Sequence, residues 1–167
     1  MENIEGGSEA HLELLKASSP QGTFWDHVGG EVTEFGPARV AAALKIEAHH
    51  LNMLGILHGG VHAALLDSIM GLMAMAVRPL EAVVTTNLNL HYLSSVRKGT
   101  VTVSAELIHQ SRRMVTTQGY VHAEDGTLCA YGTGTFRVLE SGAGGGKPAS
   151  KAEEDAGGSS GPDASQT

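Results

Sequence analysis

The sequence predicts an α+β domain in which one long central helix is wrapped by an antiparallel sheet of five to six strands. Two patterns lead to this fold class. An apolar run without proline covers Gly59–Val77, which is typical of a buried helix. Apolar residues also recur at every second position in six shorter segments, two before this run and four after it. The predicted order of elements is therefore β-β-α-β-β-β-β.

The two strands before the helix are predicted over residues 30–35 and 38–48. Gly36 and Pro37 lie between them and indicate a turn. The alternation is clearest in the second strand, where one face holds Val40, Ala42, Leu44 and Ile46.

The helix is predicted to stop at Arg78-Pro79, because proline cannot continue it. Apolar side chains of the helix lie on nearly every side of it, which indicates that the helix is buried on most sides. A membrane span is not expected, because Asp67 and Ser68 lie near the middle of the run and positive charges do not flank both of its ends.

The four strands after the helix are predicted over residues 83–93, 100–108, Met114–Ala123 and 127–139. Asp125-Gly126 is a strong hairpin signal between the last two, and Lys98-Gly99 lies between the first two. Because short links favour antiparallel neighbours, we expect these four strands to form a meander. In the first of them, one face is predicted to hold Val84, Thr86, Leu88, Leu90 and Tyr92.

The chain is predicted to have three parts. Residues 1–20 form an acidic segment, in which a short helix is expected over residues 9–17. Residues 21–140 form the domain. Residues 141–167 contain no large apolar side chain, so this tail, rich in Gly, Ser and Ala, is expected to be disordered.

Charge and cysteine usage narrow the classes of function. The net charge is −7 and the acidic excess lies mainly at the two ends, which argues against a nucleic-acid partner. The single cysteine, Cys129, cannot form an intramolecular disulfide, and we expect it to point outward from the last strand as an inert thiol. The first residues show no signal-peptide pattern, so the expected location is the cytoplasm.

Asp67 is the residue that does not fit an apolar helix. Burying an isolated carboxylate is costly, so a protein keeps one only under two conditions. Either the carboxylate is paired with a Ser, an Arg or a backbone group, or it faces a cleft in which it has a chemical role. The sequence leaves both explanations open.

The start of the helix offers a second candidate group. The first N–H groups of a helix lack intrahelical partners, and Gly59 and Gly60 leave them accessible to an anion or to a carbonyl oxygen that becomes an oxyanion. A plain glycine turn is the alternative. Asp67 lies about 12 Å along the helix from Gly59. One helix therefore cannot bring both to one carbonyl, whereas a symmetric dimer could.

The spacing Asn52-x-x-Gly55-x-x-His58-Gly59-Gly60, followed by Asp67, by the strand over 83–93 and by Lys98-Gly99, resembles the hotdog-fold acyl-CoA thioesterases. It is most similar to the PaaI-type (phenylacetate-pathway) enzymes and to the 4-hydroxybenzoyl-CoA thioesterase group. The resemblance covers roughly residues 30–139. It implies a hotdog fold, hydrolysis of an acyl- or aryl-CoA to the free acid and CoA, and assembly as a homodimer or a dimer of dimers.

The resemblance also implies roles for single residues. Asp67 would be the nucleophile or the general base, and the Gly59 N–H would polarise the thioester carbonyl. Asn52 would orient the attacking water or the carbonyl, and the Thr85 hydroxyl would assist the water. His58 occupies a position that is often structural in the family, so it ranks below Asp67.

Contacts to the substrate are expected from backbone groups at the start of the helix and from Arg and Lys side chains. Gly60 belongs to the helix start, and the CoA phosphates would need at least one of the turn-adjacent residues Arg97, Lys98, Arg112 and Arg113. One departure concerns Gly71, which matches a position where the 4-hydroxybenzoyl branch carries a hydroxyl.

No cofactor and no metal are expected. His58 and His62 have i,i+4 spacing, but the glutamate of an HExxH motif is missing, and no nucleotide-binding glycine fingerprint is present. Two other functions stay open. The first is a hotdog dehydratase or hydratase. The resemblance implies an Asp close to a His in the loop before the helix for a hydratase, and a Pro-Gly entry to the helix for a dehydratase. This loop has no Asp and no Pro, which disfavours both. A non-catalytic acyl-CoA-binding module is disfavoured because Asp67 is present.

Overall fold

The computed structural model of the chain describes Glu13, Ala17 and residues 21–139. Glu13 and Ala17 are helical, and the rest of the short helix expected over residues 9–17 lies outside the described residues, as does the tail over residues 141–167.

The predicted order of strands and central helix is confirmed. The helices are α1 (Phe24–Val28) and α2 (Gly59–Val77), and a 3₁₀ helix covers Ala48–His50. The strands are β1 (Glu31–Phe35), β2 (Val40–Lys45), β3 (Val83–Tyr92), β4 (Thr100–Gln110), β5 (Met114–Ala123) and β6 (Leu128–Val138). The short helix α1 was not predicted. Thr23 caps it, and Asp26 completes a capping box with Thr23.

The strands form one six-stranded antiparallel sheet in the order β1-β2-β4-β5-β6-β3. The predicted meander is correct for β4, β5 and β6 and wrong for β3. β4 pairs with β2, for example Val40 opposite Ala105, so β3 is left to pair with β6 at the sheet edge. The link over residues 93–99 carries the chain from that edge strand to a position inside the sheet rather than closing a hairpin.

Helix α2 lies against the sheet and supplies the centre of the core. Five of its large side chains, Leu65, Leu66, Ile69, Met70 and Met73, are fully buried and belong to one cluster with residues of β2, β4, β5 and β6. Burial of each such side chain contributes about 1.5–3 kcal/mol. Among the described residues, α2 is also long and apolar enough to cross a membrane, but a core helix has the same length and composition.

Strand β3 contains a bulge, which overturns its predicted face. The register with β6 shifts between Thr85 and Asn87. Before the bulge, Val84 is exposed, whereas Leu88 beyond it packs on the core. Alternation therefore does not continue through Thr86, because a bulge inserts one unpaired residue and re-aims its neighbours.

The predicted outward orientation of Cys129 is wrong. The residue is buried in the hydrophobic cluster, and its Sγ lies 3.6 Å from the Thr127 carbonyl oxygen. A second register shift, between Val121 and His122 on β5, interrupts the alternation beside it. Burial raises the pKa of the Cys129 thiol, which opposes formation of the reactive thiolate.

Candidate active site

Asp67 lies in the middle of α2 and is half-buried. Its Oδ1 accepts a hydrogen bond of 2.9 Å from the Thr85 hydroxyl. The β3 bulge makes this contact possible, because it leaves Thr85 on the side of the strand that faces α2. The structure therefore brings together two of the predicted site residues, and Asp67 Oδ2 has no hydrogen-bond partner within residues 21–139.

Asp67 and Thr85 line a cavity of about 540 Å³, which we call the Asp67 cavity. Most of its wall is apolar and comes from Trp25, Val32, Leu72, Met75, Val83 and Phe136. Asp26 and Glu31 add carboxylates, and no Lys, Arg or His of the described residues lines it. The cavity can therefore hold an uncharged apolar group beside a carboxylate.

Phe136 fills the space next to Gly71. A Cβ added at Gly71 would lie 3.3 Å from Phe136 Cε1, which is tighter than ordinary contact. The phenyl ring thus occupies the surroundings of the position where a hydroxyl is implied for the 4-hydroxybenzoyl branch.

The start of α2 is capped by a side chain. His58 is the N-cap residue, and its Nδ1 accepts a hydrogen bond of 2.8 Å from the Gly60 N–H. The Gly60 N–H is therefore occupied, whereas the Gly59 N–H has no hydrogen-bond partner within residues 21–139. A Cβ at Gly60 would lie 2.9 Å from His58 Nδ1, so a larger residue at position 60 would have to move the capping imidazole.

Gly59 lines a second cavity, of about 250 Å³, which we call the Gly59 cavity. Asn52, His62 and Tyr92 lie in the same wall, and the Tyr92 hydroxyl donates to the Gly59 carbonyl over 3.2 Å. Asn52 Oδ1 accepts from the N–H groups of Leu54 (2.9 Å) and Ile56 (3.3 Å), so this oxygen holds the loop before the helix.

One chain therefore separates the predicted site residues into two groups. Asp67 and Thr85 line one cavity, whereas Gly59 and Asn52 line the other. This separation agrees with the length of helix between Gly59 and Asp67.

The predicted cations lie near opposite ends of α2. The Arg97 guanidinium donates to the carbonyl oxygens of Leu54 (2.8 Å) and Gly55 (3.2 Å), so it supports the loop before α2. Lys98 next to it is exposed. Arg112 and Arg113 are exposed in the β4–β5 turn, where the neighbouring Ser111 carbonyl accepts from Arg78 just after the end of α2.

The histidines do not form a metal centre in the described part of the chain, where no group of three or more His, Cys, Asp or Glu side chains is placed to hold an ion. His50 is instead fully bonded: its Nδ1 accepts from the Glu47 N–H (2.9 Å), and its Nε2 lies 2.8 Å from the Val28 carbonyl. It thereby ties α1 to the loop before α2.

Two residues that shape the Asp67 cavity, Trp25 and Phe136, were not predicted as site residues. Trp25 comes from helix α1, which was not predicted, and Phe136 comes from strand β6. The spacing of Thr23 and Asp26, which suits a capping box, was the sequence signal for the helix that carries Trp25.

This combination of one long helix against a six-stranded antiparallel sheet is the hotdog fold. A family model described as the thioesterase superfamily matches residues 54–130. The proofreading thioesterase EntH of Cronobacter turicensis is 30% identical over 71% of this chain and 86% of its own length. The chain belongs to the thioesterase superfamily, and it is a thioester hydrolase.

Two further comparisons agree. Human acyl-coenzyme A thioesterase 13 is 28% identical over 74% of this chain and 90% of its own length. The crystal structure of a thioesterase from Haemophilus influenzae superposes with a TM-score of 0.70 at 27% identity, covering 79% of this chain and 90% of that one.

Proposed function

We propose that the protein hydrolyses an acyl- or aryl-CoA thioester, with Asp67 as its central catalytic group and with each active site shared between two copies of the chain. The observation that carries the proposal is the hydrogen bond between Thr85 and Asp67 at the wall of a mainly apolar cavity. The name of the human relative, an acyl-coenzyme A thioesterase, supports the CoA substrate.

The geometry suggests how the carboxylate acts. Thr85 donates to Asp67 Oδ1, so Oδ2 is the oxygen that either attacks the thioester carbon or accepts a proton from an attacking water. In either route the C–S bond breaks, the sulfur leaves with a proton, and water supplies the hydroxyl of the acid. Because the Thr85 hydroxyl is engaged with Asp67, its proposed task is to fix the carboxylate rather than to donate to the water.

A shared site reconciles the two cavities. A two-fold axis would place Gly59 of one copy against Asp67 of the other, so that the Gly59 N–H polarises the carbonyl that Asp67 or its water attacks. Within the described sheet β3 pairs only with β6, which leaves its outer edge available to another strand. We propose a homodimer or a dimer of such dimers.

The Asp67 cavity suggests the acyl group. Its volume and apolar wall suit an aromatic ring or a mid-length chain, and we propose that the enzyme is PaaI-like. The CoA phosphates would meet one of the cation pairs, Arg97-Lys98 or Arg112-Arg113. Alanine at a true contact should raise KM for acyl-CoA, leave kcat nearly unchanged, and barely affect an acyl-pantetheine that lacks those phosphates.

Asp67→Asn tests the chemistry, and Glu31→Gln is the matched control because it removes a second carboxylate from the same cavity. Asparagine keeps the size of Asp67 and an oxygen that accepts from Thr85, so the fold should persist. We expect Asp67→Asn to lower kcat by about two to four decades. Glu31→Gln alters the wall of the acyl cavity but not the reacting carboxylate, so it should affect KM more than kcat and keep kcat within about tenfold of wild type. If Asp67→Asn keeps more than about a tenth of wild-type activity, Asp67 is structural and the mechanism is wrong.

Mixing two inactive variants tests the shared site. Gly59→Pro removes the proposed N–H but is compatible with the fold, because proline suits the first helical position and His58 already has the extended conformation (ψ 138°) that precedes proline. Gly59→Ala is its control: it keeps the N–H, and its Cβ would lie 3.5 Å from the Tyr92 ring.

Each heterodimer of Asp67→Asn with Gly59→Pro has one site with both lesions and one intact site. Random reassociation should therefore restore roughly a quarter of wild-type sites. Circular dichroism and sizing establish that both variants fold and assemble. With that established, no recovery of activity on mixing would exclude a site built from two chains.

A further inference from the structure

His62 is a buried polar side chain that the proposed mechanism does not use. Only 4% of its surface is exposed, and its Nδ1 is buried without a hydrogen-bond partner. It lines the Gly59 cavity. We infer that His62 donates a second hydrogen bond to the thioester carbonyl oxygen, beside the Gly59 N–H; this inference rests on the proposed function.

The position of His62 on α2 places its ring near the helix start. Helical side chains lean toward the N-terminus of their helix, so a residue three positions after Gly59 covers the turn that Gly59 begins. The ring meets the Tyr92 ring edge-on with 6.0 Å between centroids, and the Tyr92 hydroxyl bonds to the Gly59 carbonyl. The imidazole is thus held at the same cavity wall as the free N–H.

The surroundings of the ring decide which nitrogen carries the proton. Burial lowers the pKa of His62, so the imidazole is neutral near pH 7 and has one N–H. On Nδ1 that N–H would be buried with no acceptor among the described residues. The proton therefore belongs on Nε2, which makes Nε2–H a donor for whatever occupies the cavity.

A carbonyl oxygen is the group that fits two such donors. Negative charge develops on the thioester oxygen when the carbonyl carbon is attacked, and fixed donors in a water-poor site stabilise it without reorganisation. His62 gives up no proton in this step. It supplies a hydrogen bond that strengthens as the oxyanion forms.

Two substitutions of similar size separate a donor from a packing residue. In His62→Gln the side-chain amide reaches the position of Nε2, whereas in His62→Asn it reaches only that of Nδ1. We expect His62→Gln to stay within about tenfold of wild-type kcat and His62→Asn to lose about 100-fold. His62→Leu should match His62→Asn. Equal activity of the Gln and Asn variants would overturn the inference, even if the Leu variant does not fold.

Two unreactive substrate analogues supply a readout that packing alone would not change. A ketone analogue of acyl-CoA, with a methylene in place of sulfur, keeps the carbonyl, and a thioether analogue keeps the sulfur without the carbonyl. His62→Asn should weaken binding of the ketone about tenfold and leave binding of the thioether unchanged. Equal weakening of both analogues would show that His62 only shapes the cavity.

Failure of this inference is distinguishable from failure of the proposed function. If wild-type protein does not hydrolyse acyl-CoA, or does so without Asp67, the proposed function fails. If Asp67 is required and His62→Asn keeps wild-type kcat, only the role of His62 fails.

Discussion

Replacing Thr85 by valine should lower kcat about tenfold and leave the fold intact. Valine has nearly the shape of threonine and suits a strand, so the change removes little besides the 2.9 Å hydrogen bond to Asp67 Oδ1. A hydrogen bond to a charged group contributes about 1.5–3 kcal/mol. Thr85 is exposed and Asp67 only half-buried, so the lower value applies. About 1.4 kcal/mol corresponds to a factor of ten in rate.

Thr86→Val is the matched control for this experiment. Thr86 is the next residue of the same bulge, and its hydroxyl donates over 2.9 Å to the Thr135 carbonyl rather than to the site. The Thr86→Val substitution should lower the free energy of unfolding by about 1 kcal/mol without lowering kcat. Steady-state kinetics with one acyl-CoA and urea unfolding of both variants provide the comparison. Equal kcat values for Thr85→Val and Thr86→Val would refute the view that Thr85 positions the catalytic carboxylate.

Two further predictions concern stability. Gly132→Ala should lower the free energy of unfolding by about 1–3 kcal/mol in urea, because its Cβ would lie 2.5 Å from the Asn89 carbonyl oxygen of β3. A change below about 0.5 kcal/mol would mean that β3 and β6 pair less closely than described. Burial lowers the pKa of His62 in the folded protein, so on acidification the unfolded chain takes up this proton at a higher pH than the folded chain does. The free energy of unfolding should therefore fall as the pH drops through about 6.5 toward the lowered value. His62→Leu should remove that part of the pH dependence in thermal melts from pH 8 to 5, since Tyr92 and Cys129, the other titratable groups on the cavity, are the same in both proteins. Parallel pH curves for the two proteins would contradict this assignment.

The fold was predictable wherever local sequence signals decide where an element begins and ends. The ends of α2 follow from the glycines at its start and from Pro79 after it, and both are local signals. The partner of β3 was not predictable, because residues 93–99 suit either a hairpin or a crossing. That choice depends on β2, which pairs with β4 from far away in the sequence.

The site was predictable to a similar extent. Asp67 stood out because a carboxylate in an apolar helix is costly. Its contact with Thr85 depends on a bulge that alternation cannot reveal, since a bulge breaks the period on which the prediction rests. The unpaired nitrogen of His62 likewise arises from long-range packing against β3, where Tyr92 meets its ring.

The contact between Gly71 and Phe136 limits how this site can change by single mutations. A serine at position 71 would press on the phenyl ring, 3.3 Å from its Cβ. Shortening Phe136 first would instead leave a void in the core, at a cost of about 3–5 kcal/mol for alanine. Because the two positions are in contact, the effects of the two substitutions on stability should be non-additive. The residue that is tolerated at position 71 therefore depends on the residue at position 136, so this wall of the Asp67 cavity changes at two positions together.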